Sequence, residues 1–106
     1  MLLPGTIIYN VTIKVEWKIH DGWLLWMKTE HMPEIVATGC FTHSQLVRLI
    51  ETDDTGGPTY AAQYYADTKA DHTRYIEIHA ASLRQKAFDR WGKQFVAFRS
   101  LMQIVQ

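Results

Sequence analysis

From Ile7 to Glu16 the chain reads I-I-Y-N-V-T-I-K-V-E, and every second side chain from Ile7 to Val15 is apolar, while Asn10, Thr12, Lys14 and Glu16 fall on the other side. Such alternation is the signature of a strand that buries one face. A strand of this kind is not stable alone; it needs neighbours along its edges and a layer packed over its apolar face. The C-terminal segment adds a second constraint. F-V-A-F-R-S-L-M-Q-I-V puts Val96, Phe98, Met102 and Ile104 on one face and Phe95, Ala97, Leu101 and Val105 on the other, which predicts a final strand that is apolar on both sides.

Between these ends the punctuation divides the chain into four more elements. Asp21 is a good N-cap for a helix over about Gly22 to His31. Pro33 disfavours helical geometry at Met32, so a kink is expected at His31-Met32-Pro33, then a short turn over residues 34–37 that stops at Thr38-Gly39. Cys40 to Glu51 reads as a strand, T-D-D-T-G-G-P as a loop, and Thr59 to Ala66 as a second strand, together a hairpin with a long tip. Thr68 and Asp71 resemble a capping box, and Tyr75, Ile76, Ala80, Leu83, Ala87 and Trp91 form the stripe of the longest helix, ended by Gly92. The order β-α-β-β-α-β predicts an α+β, ferredoxin-like domain: a four-stranded antiparallel sheet with both helices on one face. Two helices cover one side of that sheet, yet the last strand is apolar on both. A second copy, packed sheet to sheet, is the economical cover, so a homodimer built as a dimeric α+β barrel is expected.

The 106 residues suit one domain and bury about two-thirds of their unfolded surface. Eleven basic and eleven acidic residues cancel, so no net field draws the chain to nucleic acid or an anionic membrane, and neither is expected as a partner. The RNA-recognition module shares the element order but needs glycine-rich aromatic phrases on its central strands, whereas K-Q-F-V-A-F lies on the last strand and lacks them. Cys40 is the single cysteine, too few for a disulfide or a zinc ribbon, and no export pattern opens the chain, so the cytoplasm is the expected compartment.

The candidate site begins on the first helix. Trp23, Met27 and His31 are spaced i, i+4, i+8 and share a face, with Trp26 and Glu30 beside them. An aromatic and thioether wall ending in an imidazole can line a pocket between helix and sheet, with His31 as acid or base and Glu30 as its orienting carboxylate. The plainer reading makes Trp23 and Met27 core and His31 a helix-end histidine favoured by the dipole. Arg99, inside an apolar strand, can clamp an anionic ligand or a partner subunit, or form an ion pair at the edge of the core. His72 and His79 are seven apart on the second helix, and no ligand set for a metal is recognisable. Cys40 and His43, three apart in an extended segment, point to opposite faces, so Cys40 reads as a buried structural thiol.

I-I-Y-N-V-T at residues 7–12, W-L-L-W-M-K-T-E-H-M-P-E at 23–34, A-T-G-C-F-T at 37–42, G-G-P-T-Y at 56–60 and K-Q-F-V-A-F-R at 93–99 together resemble a family of short uncharacterised bacterial proteins, domain of unknown function 4286. The resemblance runs from Ile7 to the C-terminus and implies a single domain over residues 7–106 with residues 1–6 as an N-terminal extension. It implies the fold and no activity. The outline is also similar to the dimeric α+β barrel superfamily, which includes cofactor-free monooxygenases and haem-degrading enzymes. The latter combine a helix-borne axial histidine with a first-strand asparagine and a nearby tryptophan. His79 and Asn10 stand in loosely corresponding places, but no tryptophan starts the second helix, so haem is the lesser alternative and no other cofactor is indicated. The resulting expectation is a small-ligand-binding or structural module. Its rival is a small oxygenase-like or isomerase-like enzyme using a pocket among Trp23, Trp26, Met27, His31, Asn10, Arg99 and His79. An enzyme needs a cavity reached by a titratable group, whereas a structural module fills that space with Trp and Met side chains.

Overall fold

A computed structural model describes residues 3–106 of the chain. The strands are β1 (Ile7–Val15), β2 (His43–Arg48), β3 (Thr59–Ala66) and β4 (Phe95–Gln103), arranged as one antiparallel sheet in the order β2-β3-β1-β4. The most apolar alternation thus lies in the middle of the sheet, and β2 and β4 form its edges. Tyr9 pairs with Tyr64 on one side and Leu101 on the other; Val11 likewise sits between Ala62 and Arg99. The order is that of a ferredoxin-like fold, as the element pattern predicts.

Four helices cover the face that carries Tyr9, Ile13, Val15, Tyr60, Ala62 and Tyr64, all buried. They are α1 (His20–Trp26) and α2 (Met32–Val36) before the hairpin, and α3 (Lys69–Ile78) and α4 (Ala80–Trp91) after it. The first pair departs from expectation. A 3-10 turn at Trp17–Ile19 leads into α1, and a π-helical turn, Met27–His31, joins α1 to α2. The junction residues Met27 and Met32 have right-handed helical torsions, so the backbone stays helical through the expected kink at His31-Met32-Pro33, where the turn is widened. Asp21 lies inside the helix rather than capping it. The widened turn has a physical reason: Pro33 has no N–H to give and its ring crowds the carbonyl four residues back, and a π turn relieves both without ending the helix.

The second helix is also divided, at His79, whose φ of −114° interrupts α3 and α4. Its start follows the capping signal: the Thr68 hydroxyl accepts a hydrogen bond from the Asp71 amide at 3.2 Å and donates to the Asp71 carboxylate at 2.9 Å. Gly92 ends it with φ +61°. β2 is shorter than predicted because Cys40 and Phe41 turn inward to the core before the ladder begins; Cys40 is buried. At the hairpin tip only glycine fits position 57, where φ is +149° and a Cβ would lie 1.8 Å from the Val15 carbonyl oxygen. Of the extension assigned to residues 1–6, residues 1 and 2 lie outside the described residues. Gly5 and Thr6 run beside the end of β4, with the Gly5 amide donating to the Ile104 carbonyl and the Ile104 amide to the Thr6 carbonyl.

Candidate functional site

A cavity of about 60 Å³ lies between the sheet and the helices. Five of the seven residues singled out in the sequence line it: Trp23, Trp26, Met27 and His31 from the first helical run and Arg99 from β4. Odd-numbered β1 residues and their neighbours Phe95, Ala97 and Arg99 on β4 form its floor, because successive strand side chains alternate faces. Tyr64, Tyr75 and Arg84 complete one end. Trp23 and Met27 are 1% and 2% exposed, so they pack as core residues and also wall the cavity. The space admits a few waters or a ligand of few heavy atoms, and falls short of an ordinary drug-sized pocket.

The π turn sets the position of His31. In an α-helix residues five apart lie roughly 140° apart around the axis; a π turn brings them to the same side. The His31 ring accordingly stacks on Trp26, five residues earlier, at 4.4 Å between centroids and 17° between planes. Trp26 in turn meets Trp91 edge-on at 6.0 Å. Burial pushes the His31 imidazole down from its ordinary 6.5 to about 4, with Glu34 opposing and Lys86 assisting the shift. The ring is therefore neutral at pH 7, and its Nδ1 is buried with no hydrogen-bond partner among the described residues. Glu30 is exposed and makes no hydrogen bond to His31; the nearby carboxylate is Glu34, bonded to Lys86 at 2.6 Å.

At the other end Arg84 donates to the Tyr9 hydroxyl at 3.0 Å. Tyr9 packs against Phe41, Tyr64, Tyr75 and His72, with centroids 5.1–6.0 Å apart. Burial holds the phenols of Tyr64 and Tyr75 well above the usual tyrosine range; Arg84 and Arg99 act in the opposite sense on Tyr75.

The sequence pattern of the domain of unknown function 4286 matches residues 6–105. The chain belongs to this family. Members of other sequence groups share its fold. A dimeric ferredoxin-like protein from an uncultured marine organism superposes with a TM-score of 0.66 at 11% identity, covering 98% of each chain. An ethyl tert-butyl ether d family protein from Bacillus halodurans gives 0.65 at 9% identity, over 89% of this chain and 96% of that one. A candidate monooxygenase from Shewanella loihica gives 0.57 at 13% identity, over 99% of both. No curated protein matches this chain.

Two residues grouped with the site stand apart from it in this family member. Asn10 occupies the opposite face of the sheet, because its even position in β1 turns it away from the helices. There its amide donates to the Thr12 hydroxyl at 3.0 Å and its carbonyl accepts from Gln63 at 3.3 Å. His79 sits at the bend between α3 and α4, 6.3 Å from the Tyr75 ring, and does not line the cavity. The haem alternative fails on this geometry: its two residues lie on opposite sides of the sheet, and the cavity is far too small for a macrocycle. Among the described residues no three of His, Cys, Asp and Glu are grouped to hold a metal ion, and no helix is long and apolar enough to cross a membrane. The sequence reading missed Tyr9, Tyr64, Tyr75 and Arg84. The tyrosines follow from strand parity and the helix stripe, but Arg84 stands on the polar side of α4 and carries no sequence signal.

Proposed function

We propose that this chain is a small-ligand-binding module of the bacterial cytoplasm that works as a homodimer, with the ligand held between the helices and the sheet. One observation carries the reading: the aromatic layer leaves a cavity between helices and sheet instead of filling it, and that cavity is lined by a neutral imidazole and two guanidinium groups. A purely structural module gains nothing from leaving such space empty, since lost contacts and residual volume cost stability.

The dimer is supported by the uncovered face of the sheet. Val96, Phe98 and Met102 line it along β4, exposed by 55%, 68% and 39%. Beside them runs a hydrogen-bonded polar row: Gln45 donates to the Tyr65 hydroxyl at 2.6 Å and to Gln63 at 2.8 Å, and Gln63 reaches Asn10. An apolar strip beside a satisfied polar row suits a second copy, and one structural neighbour is described as dimeric. Leu101 belongs to the helix-covered face, opposite Tyr9, so this contact would rest on Phe98 and Met102.

Native mass spectrometry of freshly purified protein tests both parts. The expected spectrum is a dimer with a retained small mass, and the mass disappears in Ala97→Leu, which fills the cavity floor. A bare protein that also fails to bind small molecules overturns the ligand reading. The enzyme reading, an oxygenase-like or isomerase-like reaction, is favoured by the neutral His31 imidazole on the cavity wall, which can accept a proton from a bound substrate. It requires that His31→Gln bind ligand yet convert none.

A further inference from the structure

The charges around the cavity are one-sided. Its lining includes two arginines, Arg84 and Arg99, and no aspartate or glutamate. Elsewhere the arginines have partners: Arg48 meets Asp54 at 2.7 Å, Arg74 meets Asp71 at 3.0 Å, and Arg90 lies over the Trp91 ring at 4.7 Å. Among the described residues neither Arg84 nor Arg99 has a carboxylate within ion-pair distance, and the one side-chain hydrogen bond between them is that from Arg84 to the Tyr9 hydroxyl.

The two arginines converge from different elements. Arg99 pairs with Val11 across the β1–β4 ladder, on the helix-covered face and diagonal to Tyr9. Arg84 reaches the same Tyr9 from α4. Strand diagonals of this kind are within reach of long side chains. Both line the cavity and both act on the Tyr75 phenol; like charges that share a small cavity repel each other, and a bound anion relieves that repulsion. A guanidinium presents a planar fork of donors matched to a carboxylate. Among the remaining lining residues, Met27, Ile35 and the ring faces of Trp23 offer apolar contact, and the His31, Tyr64 and Tyr75 side chains are uncharged at pH 7.

We infer that the cavity binds a small carboxylate, its anionic end held by Arg84 and Arg99 and its short apolar end against Trp23 and Met27. This rests on the reading of the cavity as a ligand site. The cavity volume of about 60 Å³ limits the ligand to a few carbons unless side chains move. The Tyr9 hydroxyl, already accepting from Arg84, can donate its own proton to the bound carboxylate.

The test is titration of the full chain with acetate, propionate and butyrate, with the neutral amides propionamide and butyramide, and with inorganic phosphate. The readout is the indole N–H resonances of Trp23 and Trp26 against that of Trp17, which does not line the cavity. The expected result is saturable movement of the Trp23 and Trp26 signals with the carboxylates and little with the amides or phosphate. Arg99→Gln and Arg84→Gln should each weaken binding roughly tenfold to a hundredfold, with Arg99→Lys in between. Both arginines are exposed by more than a third, so the variants are expected to fold; unchanged Trp17 and amide spectra check this. Equal binding of amides overturns the anionic class and leaves the ligand site standing. Equal binding of phosphate overturns the carboxylate assignment, and carboxylate binding untouched by both variants overturns the role of the arginines. If no compound moves the indoles, the inference falls; if in addition no mass is retained in the native spectrum, the ligand site falls with it.

Discussion

His31 is buried as a neutral base, and that has a consequence for stability. Its folded pKa near 4 lies below the ordinary 6.5, so between these values the unfolded chain takes up a proton that the folded chain refuses. Stability therefore falls as pH drops from about 6.5 to 4, by roughly 3 kcal/mol from this residue at 1.36 kcal/mol per unit. His72 works in the same direction, lowered by burial, Lys69 and Arg84. Urea midpoints at pH 7 and pH 4.5 should converge in His31→Gln relative to the unaltered chain; an unchanged gap would place the acid sensitivity elsewhere. Ala97 gives the complementary test. Filling a cavity of about 60 Å³ with the larger side chain of Ala97→Leu should raise stability by about 1 kcal/mol, read from the same midpoints. A loss of stability instead would mean that the floor has no room to give.

At the scale of elements, the π turn decides how the site is assembled. A regular helix from Trp23 would carry Met27 and His31 on one line, as the i, i+4, i+8 spacing implies. The widened turn instead sets His31 against Trp26. Replacing Pro33 with Ala restores an N–H and removes the ring, so the turn should tighten toward α geometry and separate the pair. The expected signs are an upfield-to-downfield change at the His31 ring protons and a shifted Trp26 indole, with β-sheet amide signals unmoved. Retention of the His31 ring shift would show that packing against Trp91 and the sheet, rather than Pro33, holds the turn open. Helix starts and stops were mostly legible: Thr68 and Gly92 act where their chemistry says they should. The boundary at Asp21 was not, because a side chain caps a helix only where its own residue has non-helical torsions, and Asp21 lies within α1. Here the chain already turns at Trp17.

For the molecule as a whole, the uncovered sheet face makes a direct prediction. Phe98 is 68% exposed, so Phe98→Lys should cost the single chain little, while it would place a charge in the middle of the proposed sheet-to-sheet contact. If the proposed dimer forms, sedimentation should change from dimer in the unaltered chain to monomer in the variant; a dimer of unchanged size would assign the contact to another surface, and a monomeric unaltered chain would overturn the dimer. The order of elements and the sheet they build follow from local patterning alone. Alternation of period two and stripes of period 3.6 report which side of each element is buried, and few topologies satisfy six such elements. The resemblance to the family is also carried by the sequence. Which polar side chains meet depends instead on how the elements pack. Asn10 and Tyr9 are neighbours in sequence and sit on opposite faces of the sheet, while Tyr9 and Arg84, 75 residues apart, share a hydrogen bond. Periodicity records burial, which is local and repeated; the convergence of Arg84, Arg99 and His31 on one cavity depends on strand register and a single widened turn, neither of which leaves a periodic trace.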